Sequence, residues 1–271
     1  MGLAGRHSVH AISGRPCNIG ASMQHLGPAI SIADPNQWAL FLDIDGTLVE
    51  IEPTPDGVVA PVELIRTLEH LNHIFKGAVA IVTGRRIQDA DRILAPLQLV
   101  SAGVHGAQMR HLAGGVIRSA PPVAPELLRE IMALGAAHTG IVVEDKGTGI
   151  AVHYRQAPGV RLSIEKKLMG IVNMSGQAVM LCQGRMVYDI VPMQCSKRTA
   201  IEVLTRLPAF EGRRPLVIGD DAPDEAAFAA AKTQGGAGLK VAGEHFPAAS
   251  ADFTGPRQVR AWLAELAGRL S

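Results

Sequence analysis

Asp43 and Asp45 stand one residue apart, after the apolar run Trp38-Ala39-Leu40-Phe41-Leu42 and before Gly46-Thr47-Leu48. An apolar run of this length closed by a glycine reads as a buried strand of a parallel sheet. Side chains alternate along a strand, so both carboxylates are expected on one face. Open α/β sheets bind ligands at the carboxyl ends of their strands, which is where this pair lies. Two carboxylates so close repel each other, and a shared metal ion is the usual relief. Asp-x-Asp alone is equally a solvated turn; the run before it and the Gly-Thr-Leu after it favour a site.

Three more polar clusters follow strands or open helices. Thr83-Gly84-Arg85 follows Ala78–Val82, Lys197 follows Ser196, and Asp220-Asp221-Ala222-Pro223-Asp224-Glu225 follows Pro215–Gly219. Each has a plain structural alternative. Thr83 can simply end a strand, and an acidic run is favoured at a helix N-terminus by the dipole alone. Lys197 is electrostatically misplaced at a helix start, which hints at a nearby anion.

These clusters need a scaffold, and the chain supplies one. Its 271 residues suffice for one or two domains with a sizeable core. The formal net charge of +1 points to neither nucleic acid nor an anionic membrane. Cys17, Cys182 and Cys195 show no metal or disulfide spacing, as suits a reducing cytoplasm. No apolar run reaches the roughly eighteen residues a membrane helix needs.

Residues 1–36 mix Gly, Ser, His and Pro and read as a disordered or loosely packed extension, with a short helix near Ile30-Ser31-Ile32. His7, His10 and His25 within it read as inert. The prolines of 49–57 make a loop over the Asp pair. Helix, strand and helix follow over 61–94, then a strand at 99–103 ending in Val104-His105-Gly106. Gly114-Gly115 reads as a hairpin turn. Between Pro121-Pro122 and 192 the pattern is helix, hairpin, helix, hairpin, which suggests a small antiparallel sheet with helices on one face. The parallel pattern resumes with a helix capped by Ser196, a strand at 215–219, a helix over 225–232, a short strand at 239–241 and a last helix over 257–270. The fold class is therefore α/β. A Rossmann-like core with a mostly parallel sheet, 37–111 plus 193–271, carries an inserted α+β cap domain, 112–192. Hinges are expected near 107–112 and 191–196.

The four ordered clusters resemble the haloacid-dehalogenase phosphatase superfamily. That resemblance implies hydrolysis of a phosphate ester with Mg2+ as cofactor. It implies Asp43 as a nucleophile that becomes an aspartyl-phosphate and Asp45 as general acid and base. Thr83 and Lys197 would bind the phosphoryl group. Asp220 would ligate the metal with the Asp43 carboxylate and the Asp45 carbonyl, while Asp221 and Asp224 orient metal-bound waters.

A second, narrower resemblance runs from about Trp38 to the last helix. Thr83-Gly84-Arg85, Gly103-Val104-His105-Gly106, Val143-Glu144-Asp145-Lys146-Gly147, Val152-His153-Tyr154-Arg155 and 219–225 look like the trehalose-6-phosphate phosphatases. It implies Thr47, Gly84, Arg85, His105, Glu144, Lys146, His153, Arg155, Arg185 and Asp189 as substrate contacts. On their own terms, Glu144 and Lys146 share a strand face, as do His153 and Arg155, and Arg185 and Asp189. A face carrying both signs suits the hydroxyls of a sugar, although a solvated sheet face has the same look. The chain departs from the family where Asp189 stands for the usual Glu, Ile190 for a basic residue, Arg198 for Gly and Pro223 for Thr. None of these removes a catalytic group. Phosphatases of the sucrose-phosphate or mannosyl-phosphoglycerate type, and a non-catalytic sugar-phosphate sensor, are the competing readings. The expectation is a cytoplasmic monomer acting on a small sugar phosphate, without nucleic-acid or membrane partners.

Overall fold

The computed structural model describes residue 1, residue 28 and residues 30–52, 57–115 and 117–271. His7, His10, His25 and Cys17 lie outside these, as does 53–56 of the loop after the Asp pair.

The apolar run 38–42 forms β1 (Trp38–Leu42), buried at every position. Next come α1 (Val62–Ile74), β2 (Val79–Val82), α2 (Ile87–Ile93) and β3 (Val100–Gly103). Leu64, Leu68 and Leu71 form the buried stripe of α1, at the spacing a helix needs to face a sheet. β4 (Gln108–Arg110) and β5 (Arg118–Ser119) are the hairpin around Gly114-Gly115. Then follow α3 (Pro125–Ala136), β6 (Val142–Asp145), β7 (Ile150–His153), α4 (Arg161–Met174), β8 (Val179–Gly184) and β9 (Val187–Pro192). The chain returns through α5 (Lys197–Leu204), β10 (Arg214–Gly219), α6 (Ala222–Thr233), β11 (Ala237–Lys240) and α7 (Pro256–Leu270).

Seven strands form the larger sheet in the order β11-β10-β1-β2-β3-β4-β5. β11, β10, β1, β2 and β3 are parallel, and β4 and β5 add an antiparallel edge. The smaller sheet is antiparallel, β6-β7-β9-β8. It packs on α3 and α4 around Leu127, Ile131, Ile164 and Leu168, a core separate from that of the large sheet.

The structure moves several boundaries. Residues 118–119, expected to lie beyond the crossing at 112, pair with 108–109 in the large sheet. Residues 108–110, within the expected hinge at 107–112, pair with 101–103 in the same sheet. Ile30-Ser31-Ile32 is not helical; Ile32 is buried in the large core and a short 3-10 turn follows at Pro35–Gln37. α6 starts three residues earlier than expected, because Asp221 caps it and Pro223 fits its first turn.

Candidate active site

Side chains from both sheets line a cavity of about 520 Å³ at the carboxyl ends of β1, β2 and β10. Asp43 follows β1 and is 7% exposed; Asp220 follows β10 and is 3% exposed. With Asp224 they bring one carboxylate oxygen each within 4.8 Å of one another. Three buried acids so close are costly as anions. Burial, Lys197 notwithstanding, pushes Asp43 up to about 7, helped by repulsion from Asp224 and Asp45. Burial and repulsion from Asp43 and Asp224 push Asp220 up to about 9. A divalent cation would offset this conflict, and an all-oxygen set of carboxylates suits a hard cation such as Mg2+.

Two glycines make the cluster possible. A Cβ on Gly46 would sit 2.1 Å from an Asp220 oxygen, and its φ of +73° also favours glycine. A Cβ on Gly219 would lie 2.2 Å from the Asp224 carboxyl carbon.

Lys197 opens α5, where Ser196 caps the helix by accepting from Thr199 N–H. Its ammonium is buried, 3.0 Å from Asp43 and 2.7 Å from Asp224. Burial disfavours this charge, but Asp224 and Asp43 outweigh it and hold the lysine above its ordinary value. The misplaced charge read from the sequence thus has its anions. Thr83 is buried at the end of β2, and its hydroxyl accepts from Arg85 N–H at 3.2 Å. Arg85 forks Asp45, Nε to Oδ2 at 2.6 Å and Nη2 to Oδ1 at 2.7 Å. Asp43 and Asp45 both lie past the end of β1, with Asp45 in a bridge to Val49, so they meet at the cavity from the turn after the strand rather than from one strand face.

The 83–85 turn is braced by the 104–106 turn. Val104 N–H donates to Arg85 O and His105 N–H to Thr83 O. Val104 and His105 both have positive φ, 46° and 54°, a conformation that side chains resist and that clusters at functional sites. Gly84 leaves room for the His105 ring, whose Nε2 would lie 2.9 Å from an added Cβ.

The small sheet supplies the opposite wall. Lys146 Nζ donates to Asp189 at 2.7 Å and to Gly84 O at 2.9 Å, while His105 Nε2 lies 3.0 Å from the other Asp189 oxygen. Burial alone would raise Asp189, yet Lys146 and His105 hold it well below the usual carboxylate range. His153 Nε2 pairs with Glu144 at 3.1 Å. Burial opposes the Glu144 charge, but the His153 hydrogen bond and Lys146 keep it below its ordinary value. Arg155 donates to Glu52 O, and Arg185 lies 3.8 Å from Glu244.

Most predicted residues therefore converge on one cavity. Two line it from behind or not at all. Thr47 is fully buried and its hydroxyl donates to Asp220 at 3.2 Å, so it braces an acid rather than facing a substrate. Asp224 sits beneath the cavity wall among the acids. Asp221, expected beside metal waters, accepts from Ala222 N–H at 2.8 Å and from Arg185 N–H at 2.6 Å, because it is the N-cap of α6. Sequence reasoning missed Glu52, Arg86, Asp89 and Gln156 as lining residues. Arg86, next to Thr83-Gly84-Arg85, was the one with a signal. The unusual residues also find their reasons. Ile190 is fully buried in the small core, Arg198 faces Glu202 at the surface, and Pro223 stands in the first turn of α6.

The parallel sheet and its inserted second sheet form a haloacid-dehalogenase type of fold. The Trehalose-phosphatase family profile matches residues 41–258. The chain belongs to that family. It is 39% identical over 219 residues to a protein of Sinorhizobium fredii named "Probable trehalose-phosphate phosphatase", covering 80% of this chain and 82% of that one. It is 34% identical over 229 residues to the trehalose-6-phosphate phosphatase of Escherichia coli, covering 84% and 85%. In fold it matches the C-terminal domain of the Candida albicans trehalose-6-phosphate phosphatase with a TM-score of 0.73, at 21% identity, over 86% of this chain and 92% of that one.

Proposed function

We propose that this chain hydrolyses trehalose 6-phosphate to trehalose and phosphate through an aspartyl-phosphate on Asp43. One observation carries the reading: Asp43, Lys197 and Thr83 at one end of a cavity meet the Glu144–His153 pair and Arg155 at the other. That arrangement has a charged end for a phosphate and a hydrogen-bonding end for a neutral sugar.

An Asp43 oxygen attacks phosphorus as the bond to the sugar oxygen breaks, and Asp45 delivers a proton to that leaving oxygen. Asp45 then takes a proton from water as the water oxygen attacks phosphorus, releasing phosphate and restoring the Asp43 carboxylate. Lys197 and Thr83 hold the phosphoryl oxygens between the two steps. Asp43, Asp220 and Asp224 would hold Mg2+, which when bound offsets the charge of a phosphate approaching a carboxylate. Residues 120–192 act as a cap whose closure excludes water and brings Glu144, His153 and Arg155 onto the sugar. Two free cysteines, Cys182 and Cys195, accord with a cytoplasmic enzyme, and we read it as a monomer.

Phosphate release from a panel of sugar phosphates, with Mg2+ present, tests the substrate. Trehalose 6-phosphate should be the preferred ester. Equal slow release from all members, or preference for sucrose 6-phosphate, refutes this choice of sugar while leaving the chemistry in place.

A further inference from the structure

The turn between β8 and β9 reaches across to the acidic cluster. Its Arg185 N–H donates to Asp221 Oδ2 at 2.6 Å, a short bond of the charge-assisted kind. Gly184 permits the approach, since a Cβ there would lie 3.2 Å from the same oxygen and 3.1 Å from Val187. Asp221 is half of a capping box, the other half being Asp224 at the third position of α6. Asp224 Oδ2 accepts from Asp221 N–H at 3.2 Å, and its Oδ1 holds Lys197 at 2.7 Å. A continuous path therefore runs from a backbone amide of the cap, through a helix cap, to an acid of the metal cluster.

We propose that the Arg185 amide couples cap docking to metal binding. It rests on the reading that Asp43, Asp220 and Asp224 hold Mg2+. A docked turn fixes the Asp221 carboxylate, which fixes the first turn of α6 and with it the Asp224 carboxyl group. An undocked turn leaves Asp221 one partner short, and the box that aims Asp224 loosens. Coupling between two binding events is reciprocal, so Mg2+ in turn favours the docked cap. Arg185 is a positioning residue in this scheme, through its backbone rather than its guanidinium.

The turn allows a clean test. Met186 has a φ of 56° and Arg185 has no positive φ, the signs of a type II turn, whose second position accepts proline. Arg185→Pro removes the amide hydrogen and the side chain; Arg185→Ala removes the side chain only. Mg2+ affinity is measured by titration calorimetry on the full chain, and compactness by small-angle scattering with and without Mg2+. Arg185→Pro should bind Mg2+ about five- to tenfold more weakly than Arg185→Ala, on the scale usual for coupled sites. Mg2+ should compact the wild type and Arg185→Ala, and not Arg185→Pro. Gly184→Ala, which crowds the same contact while keeping the amide, should weaken Mg2+ in the same direction and guards against a misfolded proline variant. Equal affinities in the alanine and proline variants at position 185, or equal compaction, overturn the coupling alone. A wild type that binds no Mg2+ overturns the metal reading and the coupling together.

Discussion

Arg85 grips both carboxylate oxygens of Asp45, at 2.6 and 2.7 Å, so the residue read as general acid rests as one half of an ion pair. A forked guanidinium stabilises the charged carboxylate. In this arrangement both Asp45 oxygens are occupied, and reaching a sugar oxygen requires Arg85 to turn to another anion. The phosphate of the substrate is that anion. Asp45→Asn should cut turnover of the sugar ester by roughly 10²- to 10⁴-fold, the span typical of a lost acid–base group. With p-nitrophenyl phosphate, whose leaving group needs no proton, the variant should show a burst of one equivalent of nitrophenol followed by slow turnover. Stopped-flow absorbance reads this directly, and the absence of a burst would remove Asp45 from the second step only.

Asp43 is held differently, by the Lys197 ammonium at 3.0 Å. An attacking oxygen must keep a free lone pair, and a single ammonium leaves one. Asp43→Asn should lower turnover by about 10⁵-fold or more, as when a nucleophile is deleted. Acid-quenched protein incubated with 32P-labelled substrate should carry label in the wild type and none in this variant. Label in both would move the nucleophile elsewhere.

Much of this site was legible because its residues sit where strand ends put them. The apolar run before Asp43 and the one before Asp220 fix two strands, and parallel pairing of β1 with β10 brings their ends together. What could not be read was partnership. The strand-face argument grouped Glu144 with Lys146, but the structure gives Glu144 to His153 and Lys146 to Asp189. Those pairings depend on which strands are neighbours, and the order β6-β7-β9-β8 is not a local property of sequence. The same holds for Thr47, whose partner Asp220 lies 173 residues away. The early start of α6 is legible in principle, since Asp221, Pro223 and Asp224 form a capping pattern inside the acidic run.

Asp189 is the clearest case of a residue whose shortness matters. It is 4% exposed and both of its oxygens are taken, by Lys146 and by His105 of the large domain. It therefore pins the small sheet to the large one. Replacing it by Asn leaves the Lys146 charge buried without its counter-ion, a loss of about 3 kcal/mol or more at neutral pH. Its folded value is depressed, so its contribution is present above the ordinary carboxylate range and is lost as pH falls through that range and below. Chemical denaturation of wild type and Asp189→Asn should show a gap that is constant near neutrality and narrows below about pH 4. A gap unchanged by acid would mean that the pair contributes through packing alone.

The acid cluster of Asp43, Asp220 and Asp224 should show the opposite dependence. Without a cation, Asp43 is raised to about 7 and Asp220 to about 9. Both ionise near the ordinary carboxylate value once unfolded, so between those limits the folded protein holds more protons than the unfolded chain. Stability then is fully present at low pH and falls as pH climbs through the folded values. Mg2+ replaces the missing protons, and it binds the folded form better the more fully the acids are charged. The melting temperature of chelator-treated protein should fall between about pH 4 and pH 9, more steeply below pH 7 where both acids contribute, and the rise produced by saturating Mg2+ should grow over the same interval. Asp220→Asn removes one of the two raised carboxylates; its chelated form should melt higher than the wild type at alkaline pH and gain little from Mg2+. A Mg2+-induced rise of the same size at every pH would show that the cation binds away from Asp43 and Asp220.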